Sequence, residues 1–166
     1  LFNYNNNEII NKNEFIKLFN DYTLDYFVNI NWNNILVYGD AVLFNLLKNN
    51  NINNVNLPEI KIILYGLNKK EYLNKIIYLH NFFSKKINFT FNFCNTNNNL
   101  IFYYKYPFKN IKINLKRIKN KKDVFNNDYF DNIYYDGDKI IINQKTLNII
   151  NNTNLYVNRK ELIKYH

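Results

Sequence analysis

Apolar residues spaced three and four apart open the readable part of the chain. Phe15, Leu18, Phe19 and Tyr22 would share one face of a helix over residues 13–27, with Asn13 as its cap. Ile35-Leu36-Val37-Tyr38 is a short apolar run ended by Gly39, which predicts a buried strand with a tight exit. Asp40 is placed to cap a following helix that presents Val42, Leu43, Leu46 and Leu47. Residues 49–56 are polar and read as a loop. Residues 60–65 predict a second buried strand, closed by Gly66. Asn68 and Glu71 have capping-box spacing and open a helix to about residue 83, with Tyr72, Ile76, Leu79 and Phe83 on one face.

Beyond that helix the period changes to two. Phe89, Phe91 and Phe93 alternate with Thr90, Asn92 and Cys94, and Ile111, Ile113 and Leu115 alternate with Lys112, Asn114 and Lys116. Both read as half-buried strands. Asp136-Gly137, between Ile133-Tyr134-Tyr135 and Ile140-Ile141-Ile142, predicts a two-residue hairpin turn. Two short helices are expected to close the chain, near 145–150 and 159–165. The order predicts a single α+β domain over residues 1–166, with a mixed or antiparallel sheet covered by helices mainly on one face.

Composition changes how the remaining signals are weighed. The chain holds 39 Asn and 23 Ile against one Ala, three Gly and two Arg, the signature of an AT-rich genome. The net charge of +9 therefore rests on Lys, the default cation of such a code, and points to nucleic acid less sharply than its size suggests. Cys94 is the only cysteine, so no intrachain disulfide can form; a reducing, intracellular and cytoplasmic setting is expected, with Cys94 as a small core hydrophobe. No apolar run approaches the roughly 20 residues of a membrane span, so no membrane partner is expected. Met is absent even from position 1, which suggests a piece of a longer or processed polypeptide.

Candidate chemistry is sparse. His80 and His166 lie far apart with no ligand-spaced Cys or carboxylates beside them, and His80 is expected on a helix surface. Three glycines leave no room for a phosphate-binding Gly-rich loop, and no metal or cofactor is expected. The basic strip 105–122 carries Lys105, Lys109, Lys112, Lys116, Arg117, Lys119, Lys121 and Lys122 with no acid, beside Tyr103, Tyr104, Tyr106 and Phe108. Cations that track phosphates beside rings that stack bases suit single-stranded RNA or DNA. A solvated strand and loop rich in the default cation is the plainer alternative.

The segment Val37-Tyr38-Gly39-Asp40-Ala41-Val42-Leu43, followed by Pro58-Glu59-Ile60-Lys61-Ile62-Ile63-Leu64-Tyr65-Gly66, resembles the nucleotidyltransferase fold. The likeness is to the divergent members of large DNA viruses and some protists; Leu64-Tyr65-Gly66, the helix from Lys69 and the Tyr135-Asp136-Gly137 hairpin keep its order, and it spans roughly Ile35 to Tyr165. It would make a virus factory or virion a possible setting. The resemblance implies a Gly-Gly or Gly-Ser turn leading into a helix, then a strand bearing Asp-x-Asp. Two carboxylates at i and i+2 share one face and hold Mg²⁺, while the turn and helix start face the phosphates. Here those positions hold Gly39 and Asp40, then Glu59 and Lys61. Lys61 has no lone pair for a metal, and Asp40 would set a negative charge where phosphate should lie. The third carboxylate is expected on 111–115, which offers Lys112 and Asn114 instead. The expectation is a catalytically inactive domain serving as a scaffold or interaction module, with protein partners in a larger assembly. The other readings are a single-strand-binding accessory domain using the basic strip, and an active transferase with metal ligands elsewhere.

Overall fold

A computed structural model of the protein describes residues 11–46, 59–87, 92–96, 99–105, 110–125, 133–142 and 163–165. The loop expected at 49–56, the helix expected at 145–150, Leu47, Phe89 and Phe91 lie outside the described residues. The elements run α1 (Lys12–Tyr22), β1 (Ile35–Tyr38), α2 (Asp40–Leu46), β2 (Glu59–Tyr65), α3 (Lys69–Ile87), β3 (Asn92–Thr96), β4 (Asn99–Lys105), β5 (Asn110–Ile118), α4 (Lys121–Phe125), β6 (Ile133–Tyr135), β7 (Ile140–Ile142) and β8 (Ile163–Tyr165). The strands form one eight-stranded sheet in the order β3-β4-β5-β2-β1-β6-β7-β8. The β2–β5 and β7–β8 pairs are parallel and the others antiparallel, so the fold is α+β with a mixed sheet. The expected closing helix at 159–165 is corrected in its described part: Ile163–Tyr165 is a strand paired to β7. Local sequence does not distinguish the two, because the exposed edge of β7 supplies the hydrogen bonds.

Strand alternation sends side chains to two unequal layers. Ile35, Val37, Ile60, Ile62, Leu64, Ile113, Leu115, Ile133, Tyr135, Ile140 and Ile142 meet Phe15 and Phe19 of α1, Val42 and Leu46 of α2, and Leu79 and Phe83 of α3. On the other side Leu36, Ile63, Ile118, Tyr134 and Ile141 gather around Val124 of α4. Among the described residues three helices pack on one face and the five-residue α4 packs on the second.

The helices start where polar caps allow and stop where packing demands. Asn11, not Asn13, caps α1, its side chain accepting from the Glu14 amide at 2.9 Å. The helix ends at Tyr22 although Tyr26 and Phe27 continue its apolar spacing. Leu24 and Asp25 adopt positive φ, the chain turns, and Tyr26 and Phe27 pack edge-on against Phe83 of α3. The Asn68–Glu71 capping box forms in both directions, at 2.9 and 2.8 Å. The hairpin loop spans Asp136 to Lys139 and is longer than the expected two residues. The Asp136 carboxylate accepts the amides of Asp138 and Lys139, a local turn that Asp makes readily. Gly137 has φ of 95° and lies flat on Trp32, where an added Cβ would come within 2.3 Å of the indole ring. Lys12 also pairs with Asp138, tying the start of α1 to this loop.

Candidate functional site

The candidate site is built on β2, which runs between antiparallel β1 and parallel β5. Ile60, Ile62 and Leu64 turn towards the three-helix layer, so Glu59, Lys61, Ile63 and Tyr65 turn towards the sparsely covered face. Register then sets their neighbours. Lys61 stands opposite Tyr38 on one side and Asn114 on the other, and Glu59 stands beside Lys112. The Asn114 amide nitrogen donates to a Glu59 carboxylate oxygen at 3.0 Å, and the Lys61 ammonium lies 6.0 Å from the centre of the Tyr38 ring. All four of Glu59, Lys61, Asn114 and Tyr38 are half-buried. A carboxylate, an ammonium and an amide thus occupy adjoining positions, and together they carry no net charge.

Gly39 and Asp40 leave β1 at the end of the sheet where Glu59 enters β2, because Tyr38 is already paired with Lys61. Asp40 does not cap α2 as expected: the amides of Val42 and Leu43 both bond to the Gly39 carbonyl, so Asp40 is the first helical residue. Positive φ suits Gly39 to that exit. Burial, reinforced by the Asp40 charge, pushes the Tyr22 hydroxyl up to about 12, and Tyr22 is part of the helical layer. The backbones at Asp40 and Glu59 are close in register.

The basic strip does not form one surface among its described members. Lys116 and Arg117 are consecutive on β5 and so face opposite ways. Lys116 stands in register with Ile63 on the sparsely covered face. Arg117 stands beside Leu64 on the helical side, donates to the Leu67 carbonyl at 3.0 Å and lies over the Tyr72 ring at 5.1 Å. Its guanidinium is thereby packed between β5 and α3, on the other side of the sheet from Lys116. Lys119, Lys121 and Lys122 are exposed where β5 passes into α4, and Lys121 lies over the Tyr65 ring at 5.4 Å. Lys105 and Lys112 are placed only by backbone register, opposite Asn110 and beside Glu59 respectively, and Lys109 lies outside the described residues.

Two single-residue expectations are also corrected. Cys94 is exposed, because β3 is an edge strand and Cys94 shares its row with Ile101 and Asn114 on the sparsely covered face. His80 is half-buried, with its ring edge-on to Phe102 at 5.5 Å, because α3 lies directly over the sheet there. His166 lies outside the described residues. Among the described residues no three His, Cys, Asp or Glu side chains converge as a metal site would require, and no helix is long and apolar enough to cross a membrane.

The Tyr38–Lys61–Asn114 row was the feature least accessible to sequence reading. Glu59, Lys61 and Asn114 each stood out alone, but only the parallel β2–β5 pairing brings Asn114 onto Glu59. No protein-family model, curated protein or solved structure matches this chain, so its functional reading rests on this geometry and on the sequence pattern.

Proposed function

We propose that the chain is a nucleotidyltransferase-like domain without catalytic activity, acting as an interaction module in a larger assembly. The observation that carries this reading is the trio Glu59, Lys61 and Asn114. These are the strand positions where such a fold needs carboxylates, and they adjoin one another on one face. A pair of Mg²⁺ ions needs several anionic oxygens converging at close range. Lys61 brings a positive charge to the row it shares with Asn114, and Asn114 donates a hydrogen bond to the one carboxylate. Each substitution removes a ligand, and Lys61 also repels the ion.

Calorimetry tests the reading directly. A nucleoside triphosphate titrated into the protein at millimolar concentration is expected to give the same small heat with and without Mg²⁺. Metal-dependent heat that disappears in Glu59→Ala would show a working site and overturn the proposal. The basic strip in its sequence-defined form gains no support as a second reading, because Arg117 is committed to Leu67 and Tyr72.

A further inference from the structure

We propose that β3 is a pairing edge, through which two copies of this chain associate antiparallel about a two-fold axis and join their sheets. The proposal does not rest on the nucleotidyltransferase reading. Among the described strands β3 ends the sheet and pairs with β4 alone. A strand in that position presents a row of backbone N–H and C=O groups outward, and a second extended chain satisfies them in order. Asn92 and Cys94 on β3 are exposed.

Sheet edges are ordinarily kept apart by charge or proline, and β3 has neither. Charged residues make up 21% of the sequence, yet none falls between Lys86 and Lys105, the stretch that contains β3. The strand at the other end of the sheet, β8, includes Lys164. A second copy supplies an edge of the same length with no charge to oppose it. A two-fold axis through the middle of β3 pairs all five residues at once, setting Cys94 opposite its counterpart and Asn92 opposite Thr96. Each copy carries a net charge of +9, so the bodies repel at long range while the edges do not. Salt should therefore tighten the association. Five residues of strand bury well under the roughly 1,200 Å² of a stable interface, so the dimer is a weak one.

The test is sedimentation equilibrium of the reduced protein up to about 500 μM, a concentration suited to a weak interface. A monomer–dimer equilibrium is expected, with the dimer fraction rising between about 50 and 200 mM salt as the repulsion is screened. Cys94→Lys sets like charges directly opposite one another and should weaken the dimer about fivefold. Cys94→Ser should associate as the parent does. Asn81→Lys, equal in added charge but at an exposed position of α3, should leave the dimer nearly unchanged. Disulfide trapping reads the same contact without substitution. Directly opposed residues of antiparallel strands have Cα atoms about 4.5–5.5 Å apart, within the span of a disulfide. Mild oxidation with diamide should therefore link the parent into dimers through Cys94, faster at the higher salt and more slowly in Asn92→Lys. A parent that stays monomeric overturns the proposal, as does a dimer that weakens with salt or grows into open polymers. Equal losses in Cys94→Lys and Asn81→Lys would reduce the effect to net charge and overturn it too. So would a dimer that Cys94→Lys leaves intact, or one that diamide does not link.

Discussion

Tyr22 shows how one residue can be well packed and still poorly satisfied. Its ring fills the space between α1 and the sheet, but its hydroxyl is buried with no hydrogen-bond partner. A buried, unpaired hydroxyl costs stability that a phenyl ring would not. Tyr22→Phe is therefore expected to raise stability at neutral pH by about 1 kcal/mol, measured by urea denaturation. The same site fixes a pH dependence. In the fold this hydroxyl holds its proton to about 12, whereas in the unfolded chain it titrates at the ordinary 10.0. The folded state then binds this proton more tightly, so the contribution of Tyr22 is fully present below pH 10 and is lost as pH rises towards 12. Tyr22→Phe should flatten part of that alkaline loss. Tyr135, whose hydroxyl is also pushed up to about 12 by burial first and then by Asp136 and Asp138, contributes to that loss, and burial raises the Tyr65 and Tyr72 hydroxyls in the same direction.

At the scale of elements, α3 is the best specified and α2 the least. α3 has a reciprocal capping box, Lys85 and Lys86 in its last turn where the helix dipole favours cations, and Leu79 and Phe83 anchored in the core. Asn68→Ala would release the Glu71 amide and loosen its partner bond. A loss of about 1 kcal/mol in thermal unfolding is expected, with no change in the sheet. α2 has only seven residues and begins directly from Gly39, so its orientation comes from packing between α1, β1 and β6. The side chain of Asn45 is buried in it and satisfied by the Ala41 carbonyl at 2.7 Å, a bond made within the helix itself. The register of the β1–β2–β5 core follows from burial. A one-residue slip would send Ile60, Ile62 and Leu64 to the sparsely covered face and Lys61 into the aromatic layer.

Among the described residues the two sides of the sheet are packed unequally. The thick side holds a continuous aromatic cluster in which Phe19 contacts Phe15, Phe27, Trp32 and Tyr135. The thin side depends on Val124 and on the Tyr134 hydroxyl, which donates to the Val124 carbonyl at 3.2 Å. Phe19→Ala should cost about 3–5 kcal/mol because the cluster cannot close over the space left behind. Val124→Ala removes far less buried surface and should cost about 2 kcal/mol. Hydrogen exchange should show the same ordering, with α4 amides exchanging well before those of α3. Equal protection of the two helices would contradict a division between a stable and a loosely covered face.

The pattern of apolar residues by itself determined α3 and its cap, the strands β1, β2 and β5, the hairpin strands β6 and β7, and the α+β class. Each follows from a local rule: a period of 3.6 or 2, a capping pair, or an Asp-Gly turn. The early end of α1, the exposure of Cys94, the half-burial of His80 and the strand at Ile163–Tyr165 depended on tertiary structure, because each is decided by a neighbour distant in sequence. The candidate site divides in the same way. Glu59 and Lys61 share a face by strand alternation alone, and that was legible in the sequence. Their conjunction with Asn114 and Tyr38 and the separation of Lys116 from Arg117 were decided by pairing and packing. Alternation fixes which residues share a face, but only the arrangement of strands and helices fixes which face is covered and what stands beside them.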